Sequence, residues 1–530
     1  MKKLWIALFV FLLFAQCSLK KEEEKIYEGV ITGDSLMFHP IRIDSAGKML
    51  PWFSANAGQS YDTVLMLVWN FWDRMETDSN GLKYYMNHQV WKPQHDKRGL
   101  GGDQLNMALS SWRLLYQYTG NRAIIDNMCY IADTYLACSL SDSSDAWPFI
   151  PYPYNTSIHS GYYDGDMILG KGYTQPDKAG SFGYELVNLY KLTGRPAYLN
   201  AAIRIATTLI SKIKPGDSLH SPLPFKVHAK TGKVGVLKNR DGEKEACYTT
   251  NWAPTLRLFE ELFTLDKNHA SDYRQAFNVM LQWMMKYPMQ NNRWGPFFED
   301  IPGWSDTQIN AITWADFIMD HIEPFPHWFA DVKKIFEWVE QKLGNHEWEK
   351  YGVLAINEQT AYQVPGNSHT SRMAAAQLKL AKLTQDKTLI EKSIRQLNWA
   401  TYMVNHNGEN QYYHDDIWLT DGYGDYVRHY LNAMAAYPEI APDHKNRLLS
   451  SSSVVQHISY GNKSIFYRCY DARHREVFRL TAIPRRVMVG GIVLPKVNCD
   501  CRMGWHWRKL QRGGVLTIST DSGNETTILF

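Results

Sequence analysis

Carboxylates, histidines and arginines gather in a few stretches of this 530-residue chain. Glu299, Asp306, Glu358, Asp416 and Asp425 are acids that can work in pairs, one protonated to assist a leaving oxygen and one ionised to activate water or attack carbon. Glu358 stands beside Ile356, Ala361 and Tyr362, and such apolar neighbours raise a carboxyl pKa and keep the group protonated as a general acid. Tyr362 and His369 offer a second chemistry, removal of a proton next to a carboxylate that Asn251 or Arg372 neutralises. Asp103, Asn251, Trp252, Trp304, Arg372, Trp418 and Arg428 suit binding. Indole faces pack on the apolar C–H faces of pyranose rings, while carboxylates, amides and guanidiniums hold hydroxyls. Each residue also has a plain use. Asp103, Asp306 and Asp425 stand at expected helix starts, where a side-chain oxygen caps free N–H groups. The arginines can form structural ion pairs, and the three tryptophans can plug a helical core. No cofactor is implied, and no metal-ligand spacing stands out: Cys499-Asp500-Cys501 has no second cysteine pair for zinc and is too close for an easy mutual bridge.

The elements that must position these residues are helical hairpins. Asp177 to Ile213 reads as two helices joined at Thr193-Gly194-Arg195-Pro196, with Phe182, Leu186 and Leu189 on one face and Ala202, Ala206 and Leu209 on the next. Gly194 suits a left-handed C-terminal cap, Pro196 a first helical position, and Asp177 an N-cap. The pattern recurs over Gly102–Leu136, Thr250–Met285, Asp306–Leu343 and Ser368–Val404. Tyr423–Tyr437 at one end and Gln59–Thr77 at the other make a sixth pair. A hairpin cannot bury its own apolar face, so six of them must pack together, and alternation of inner and outer helices predicts an (α/α)6 toroid over residues 59–445. The long loops that lead into the inner helices carry the chemistry: Gly99–Gln104, Trp147–Thr174, Tyr248–Trp252, Phe297–Asp306, Ile356–Arg372 and Tyr412–Asp425. The turns back to the outer helices are short and plain, which places the site at one mouth of the ring.

Both ends of the chain differ from this middle. Lys2-Lys3 and the apolar run Leu4–Leu13 make residues 1–17 a targeting segment, and Leu13-Phe14-Ala15-Gln16-Cys17 is similar to a lipoprotein box in which Cys17 is acylated. Residues 18–58 then read as a tether and N-terminal extension. Residues 450–530 hold short β-rich runs parted by Gly461-Asn462, Gly490-Gly491 and Gly513-Gly514, and predict a small antiparallel β domain. A formal charge of +3 argues against a nucleic-acid surface, whereas 19 Trp and 31 Tyr exceed what helix cores need.

Across about residues 59–437 the chain resembles the six-hairpin glycosidase-like superfamily, on its hairpins, its Thr-Gly turns and its acid- and aromatic-rich mouth loops. That resemblance implies a carbohydrate-active enzyme, a glycoside hydrolase or a polysaccharide lyase acting on a poly- or oligosaccharide. Asn251-Trp252 resembles the Asn-Trp element of some toroid-type glycosaminoglycan lyases, with Tyr362, His369 and Arg372 as companions. Glycoside hydrolysis is the first reading and β-elimination on uronic-acid glycans the second. A sugar epimerase and a non-catalytic glycan-binding lipoprotein follow, and under every reading the expected location is that of an exported lipoprotein of the outer membrane, at the cell surface or facing the periplasm.

Overall fold

The computed structural model describes residues 29–86, 102–157, 162–239, 242–298, 303–411, 413 and 421–530, without the side chains of 102–104, 239 and 421–424. Thirteen α-helices occur among them. They are α1 (Ala57–Asp73), α2 (Gly102–Thr119), α3 (Ala123–Cys138), α4 (Pro176–Thr193), α5 (Pro196–Lys212), α6 (Ala253–Leu265) and α7 (Ala270–Lys286). The single turn α8 (Pro288–Asn291), α9 (Gln308–Asp320), α10 (Trp328–Leu343), α11 (Asn367–Thr384), α12 (Lys387–Thr401) and α13 (Asp421–Ala436) follow.

The founding hairpin forms as its residues dictate. Gly194 closes α4 with φ +74°, and Pro196 opens α5. Phe182, Leu186 and Leu189 are buried on α4, as are Tyr198, Ala202, Ile205 and Leu209 on α5. One detail differs. The N-cap of α4 is Gln175, and Asp177 lies inside the first turn, fully buried, where its Oδ2 accepts from Asn251 Nδ2 at 2.9 Å. Pro176, which needs no N–H partner, takes the first helical position and so moves the start two residues toward the N-terminus.

Helices α2, α4, α6, α9, α11 and α13 form a closed inner ring, because α13 packs between α11 and α2. Each has its outer partner: α3, α5, α7, α10, α12 and, for α13, α1. The (α/α)6 toroid is therefore complete. Inner helices are buried on nearly every face, and close approach demands small residues there. A Cβ added at Gly180 on α4 would lie 1.9 Å from Thr255 Oγ1 on α6, so glycine is required at that contact. The N-terminal extension contributes an antiparallel hairpin, Val30–Leu36 with His39–Ile43. It is tied down by Arg42 N donating to Tyr402 Oη at 2.9 Å and Lys350 Nζ to Asp34 at 2.7 Å.

The C-terminal segment is a sandwich of two antiparallel sheets. One orders its strands 447–451, 474–480, 514–520, 504–509, and the other 455–460, 464–469, 525–529, 486–489, 492–493. It seats on the plain end of the toroid. Tyr460 Oη donates to Gln117 O at 2.7 Å, Gln456 Nε2 to Lys191 O at 2.8 Å, and Gly120 sits against Ile458 O. Buried side chains of helices and sandwich form one continuous core. Cys499 and Cys501, read above as unsuited to each other, are disulfide-bonded with Cα atoms 5.4 Å apart, a separation the turn 499–501 supplies.

Candidate functional site

The inner helices begin at the mouth, so their first two or three turns aim side chains at the ring axis. On α11, His369 and Arg372 are one turn apart. On α13, Asp425, Arg428 and His429 stand at i, i+3 and i+4 and share a face. These two faces meet. Arg372 is ion-paired with Asp425 and hydrogen-bonds Gln308 at the start of α9. Arg428 also pairs with Asp425, and its other terminal nitrogen donates to Ser110 Oγ on α2 at 3.1 Å. His429 Nε2 lies 3.1 Å from Asp425 Oδ1. One carboxylate thus serves two guanidiniums and an imidazole.

That arrangement decides the imidazole charge. Burial holds both His369 and His429 well below the usual histidine range, and Arg372 pushes each further down. Asp425 alone would favour a protonated His429, but its charge is already balanced by the two arginines. A third cation in that volume is disfavoured, and both rings are neutral at pH 7. Since a carboxylate only accepts, His429 donates from Nε2 and carries its lone pair on Nδ1.

A second group lies across the ring. Asn251, before α6, donates to Asp177, as described, and Lys178 Nζ is 3.5 Å from Asp177 Oδ2. Lys178 Nζ donates to Phe297 O at 2.9 Å and lies over the Phe297 ring. Between the groups runs an interior space made of two adjoining cavities, about 430 and 270 Å³, which share Thr313, Asp316, Asp320, Arg428 and Asn432. Its walls are charged. Arg257 reaches Asp320 at 2.6 Å, and Lys379 bridges Asp316 and Asp320 at 2.7 Å each. Burial opposes ionisation of Asp320, yet Arg257 and Lys379 together hold its carboxyl below the usual range. Glu185, 3.6 Å from Arg113, is driven the other way, because burial outweighs the nearby arginines.

The structure therefore brings together Asn251, Arg372, Asp425 and Arg428 around this space, with His369 packed edge-on to Phe298 beside it. Other candidates stand elsewhere. Asp306 spends its carboxylate on the loop, accepting from Trp294 N, Gly295 N and Trp304 Nε1 at 2.8–2.9 Å. Trp252 is completely buried and donates to Thr249 O, a core role. Trp304 joins Tyr248 and Arg293 in a separate hollow. Glu358 is buried on strand Ala355–Gln359 and accepts from Gln359 Nε2 at 2.6 Å, while Tyr362 lies half-exposed across the same hairpin. The side chain of Asp103, and Glu299, Asp416, Trp418 and Cys17 altogether, lie outside the described residues. Lys178, Gln308, His429 and the Arg257–Asp316–Asp320–Lys379 cluster were not singled out from sequence. Their signal was available: charged residues at i, i+4 inside otherwise apolar inner helices, as in Asp316 and Asp320.

No family model matches the chain, and no curated protein matches it. Solved structures do. The fold superposes on a cellobiose 2-epimerase from Bacillus thermoamylovorans B4167 with TM-score 0.54 at 15% identity, covering 71% of this chain and 98% of that one. A cellobiose 2-epimerase from Spirochaeta thermophila DSM 6192 gives 0.53 at 13%, over 72% and 96%. A D-mannose isomerase gives 0.51 at 11%, over 73% and 99%. At such identities the likeness is one of fold, the (α/α)6 toroid.

Proposed function

We propose that this chain is a carbohydrate-active enzyme that moves a proton at a sugar carbon next to a carbonyl or carboxylate, the step common to epimerisation and β-elimination. The observation that carries the reading is the Asp425–His429 pair, a neutral imidazole oriented by a buried carboxylate at 3.1 Å with its Nδ1 lone pair available. Arg372 and Arg428 supply fixed positive charge where an enediolate would develop, and preorganised charge of this kind stabilises such an intermediate without reorganisation. His369 is the candidate second proton carrier, for return of the proton on the other side. Asn251, Lys178 and the charged walls of the interior space are suited to hydroxyl groups. The neighbours in fold named for epimerisation and isomerisation of sugars are in keeping with this reading.

Glycoside hydrolysis is the second reading. It is favoured by Glu358, a buried glutamate on the first strand of the hairpin that leads into α11. The test is a panel of neutral and uronic-acid oligosaccharides incubated in deuterated water. Proton transfer at carbon puts deuterium into the sugar or leaves an ultraviolet-absorbing unsaturated uronide, and His429→Asn abolishes either. Saturated products without carbon-bound deuterium, made by a reaction that needs Glu358 and not His429, overturn the first reading in favour of the second. Export with acylation at Cys17 completes the proposal, placing the enzyme at a membrane surface where polymer arrives from outside.

A further inference from the structure

Cys469, His474 and Glu476 are buried together in the sandwich, far in sequence from every residue of the toroid mouth. Cys469 ends strand 464–469 of one sheet, while His474 and Glu476 open strand 474–480 of the other, so the cluster bridges the two sheets. One ligand atom from each lies within 4.8 Å of the others. Cys469 Sγ is 3.6 Å from Glu476 Oε1, and His474 Nδ1 is 2.7 Å from Glu476 Oε2. With Zn–S near 2.3 Å and Zn–O near 2.1 Å, a tetrahedral ion sets its sulfur and oxygen ligands about 3.6 Å apart, and its nitrogen and oxygen ligands about 3.4 Å apart. The first spacing is met at Oε1, while His474 Nδ1 lies against the other oxygen, Oε2, so binding requires the carboxylate to turn and that pair to open. The outer groups are in place as well. His474 Nε2 donates to Gly523 O at 2.9 Å, which fixes the ring with Nδ1 aimed inward, as metal-bound histidines are fixed. Ser451 Oγ and Tyr467 Oη each donate to Glu476 at 2.9 Å.

We propose that Cys469, His474 and Glu476 form a structural site for a zinc-class divalent cation that staples the two sheets of the sandwich. Thiolate, imidazole and carboxylate together select Zn²⁺ over Mg²⁺ or Ca²⁺, which prefer all-oxygen sets. The charge balances. In the hydrogen-bonded state both ring nitrogens of His474 face acceptors, so the ring is an imidazolium paired with Glu476, beside a neutral thiol. Zn²⁺ takes the place of two protons, one from Cys469 Sγ and one from His474 Nδ1, which leave to solvent. Net charge in the buried volume is unchanged, and no bond other than metal–ligand bonds forms. Because the site is sealed, the ion enters during folding.

The experiment refolds the full chain from denaturant in the presence of Zn²⁺ and, separately, Co²⁺. Expected are one zinc ion per chain after extensive dialysis and, with Co²⁺, a near-ultraviolet sulfur-to-cobalt absorption. Cys469→Ser, close to isosteric, loses that absorption entirely and loses stoichiometric zinc, while Cys247→Ser keeps both. The proposal is overturned by a wild-type chain that regains its native tryptophan fluorescence yet holds no metal. Metal retained equally by Cys469→Ser and His474→Gln overturns it too. Either result leaves the cluster a hydrogen-bonded ion pair only. Wild-type refolding decides the matter even where a variant fails to fold.

Discussion

Asp425→Asn is the most informative single change at the mouth. The substitution keeps size and shape and removes one negative charge that faces Arg372, Arg428 and His429. Side chains of Arg372 and Asp425 are each only 5% exposed, so water cannot replace the lost partner. At about 3 Å and an effective dielectric constant of about 20, the Coulomb energy of one such pair is on the order of 5 kcal/mol. Breaking a buried pair from one side costs about 3–5 kcal/mol, because the remaining charge is stranded. Arg428 contributes less, since its side chain is 24% exposed and retains Ser110. The expected loss of stability is therefore about 3–5 kcal/mol, read as a shift of the urea midpoint followed by tryptophan fluorescence. Adding Arg372→Gln removes the stranded cation, and the double variant should recover about 1–3 kcal/mol relative to additivity. Activity should behave otherwise. The amide no longer orients His429 as a carboxylate does, so turnover falls by about 10²- to 10⁴-fold and stays low in the double variant. A single-variant cost below about 1 kcal/mol, or strict additivity with Arg372→Gln, refutes the claim that Asp425 exists to balance buried guanidiniums.

Three further outcomes are expected. His39, pushed down to about 4 by burial, joins His369 and His429 as histidines with folded-state pKa values below the unfolded value near 6.5, so their contribution to stability is complete above about pH 6.5 and is lost as pH falls from there toward the folded values. Each contributes up to about 1.4 kcal/mol per pH unit, His39→Gln should remove about a third of the slope between about pH 6 and 5, and a urea midpoint flat over that window refutes the assignment. The raised histidine His321 acts in the opposite range, above about pH 6.5, and does not mask the effect. Trp252→Ala should cost about 3–5 kcal/mol as a core deletion, whereas Trp304→Ala at its half-buried hollow should cost markedly less; equal costs by urea titration would contradict the burial assigned to each. Cys17→Ala should move the protein from the membrane fraction to the soluble one with activity on soluble substrate intact, and unchanged fractionation sinks the acylation reading, since stable attachment needs more than one acyl chain.

What the sequence disclosed and what it withheld divide along the range of the forces involved. Gly194 and Pro196 announce their hairpin because cap and turn are decided within a few residues, and six such hairpins leave little choice but a ring. Strand 504–509 is not legible as one, for GWHWRK carries too much charge and too little alternation to stand out from a loop. The site was legible as a rim and illegible as chemistry. Asp306 and Asp425 look alike in sequence, each an acid at the expected start of an inner helix, although α13 begins at Asp421 and Asp425 is its fifth residue. One is consumed by two loop N–H groups and an indole, the other by two arginines from different helices. Only the fold decides between such fates, because the partners of Asp425 lie on α11 and on its own helix, and those of Asp306 in the loop before α9. A usable rule follows nonetheless. An inner helix of a toroid is buried nearly all round, so a charged residue within it tends to face the axis and meet another charge there. Asp316 with Asp320, Arg257, Lys379, and Asp425 with His429 all obey it. The polar interruption inside an apolar helix, more than the acid at its cap, is where the sequence pointed to the interior of the ring.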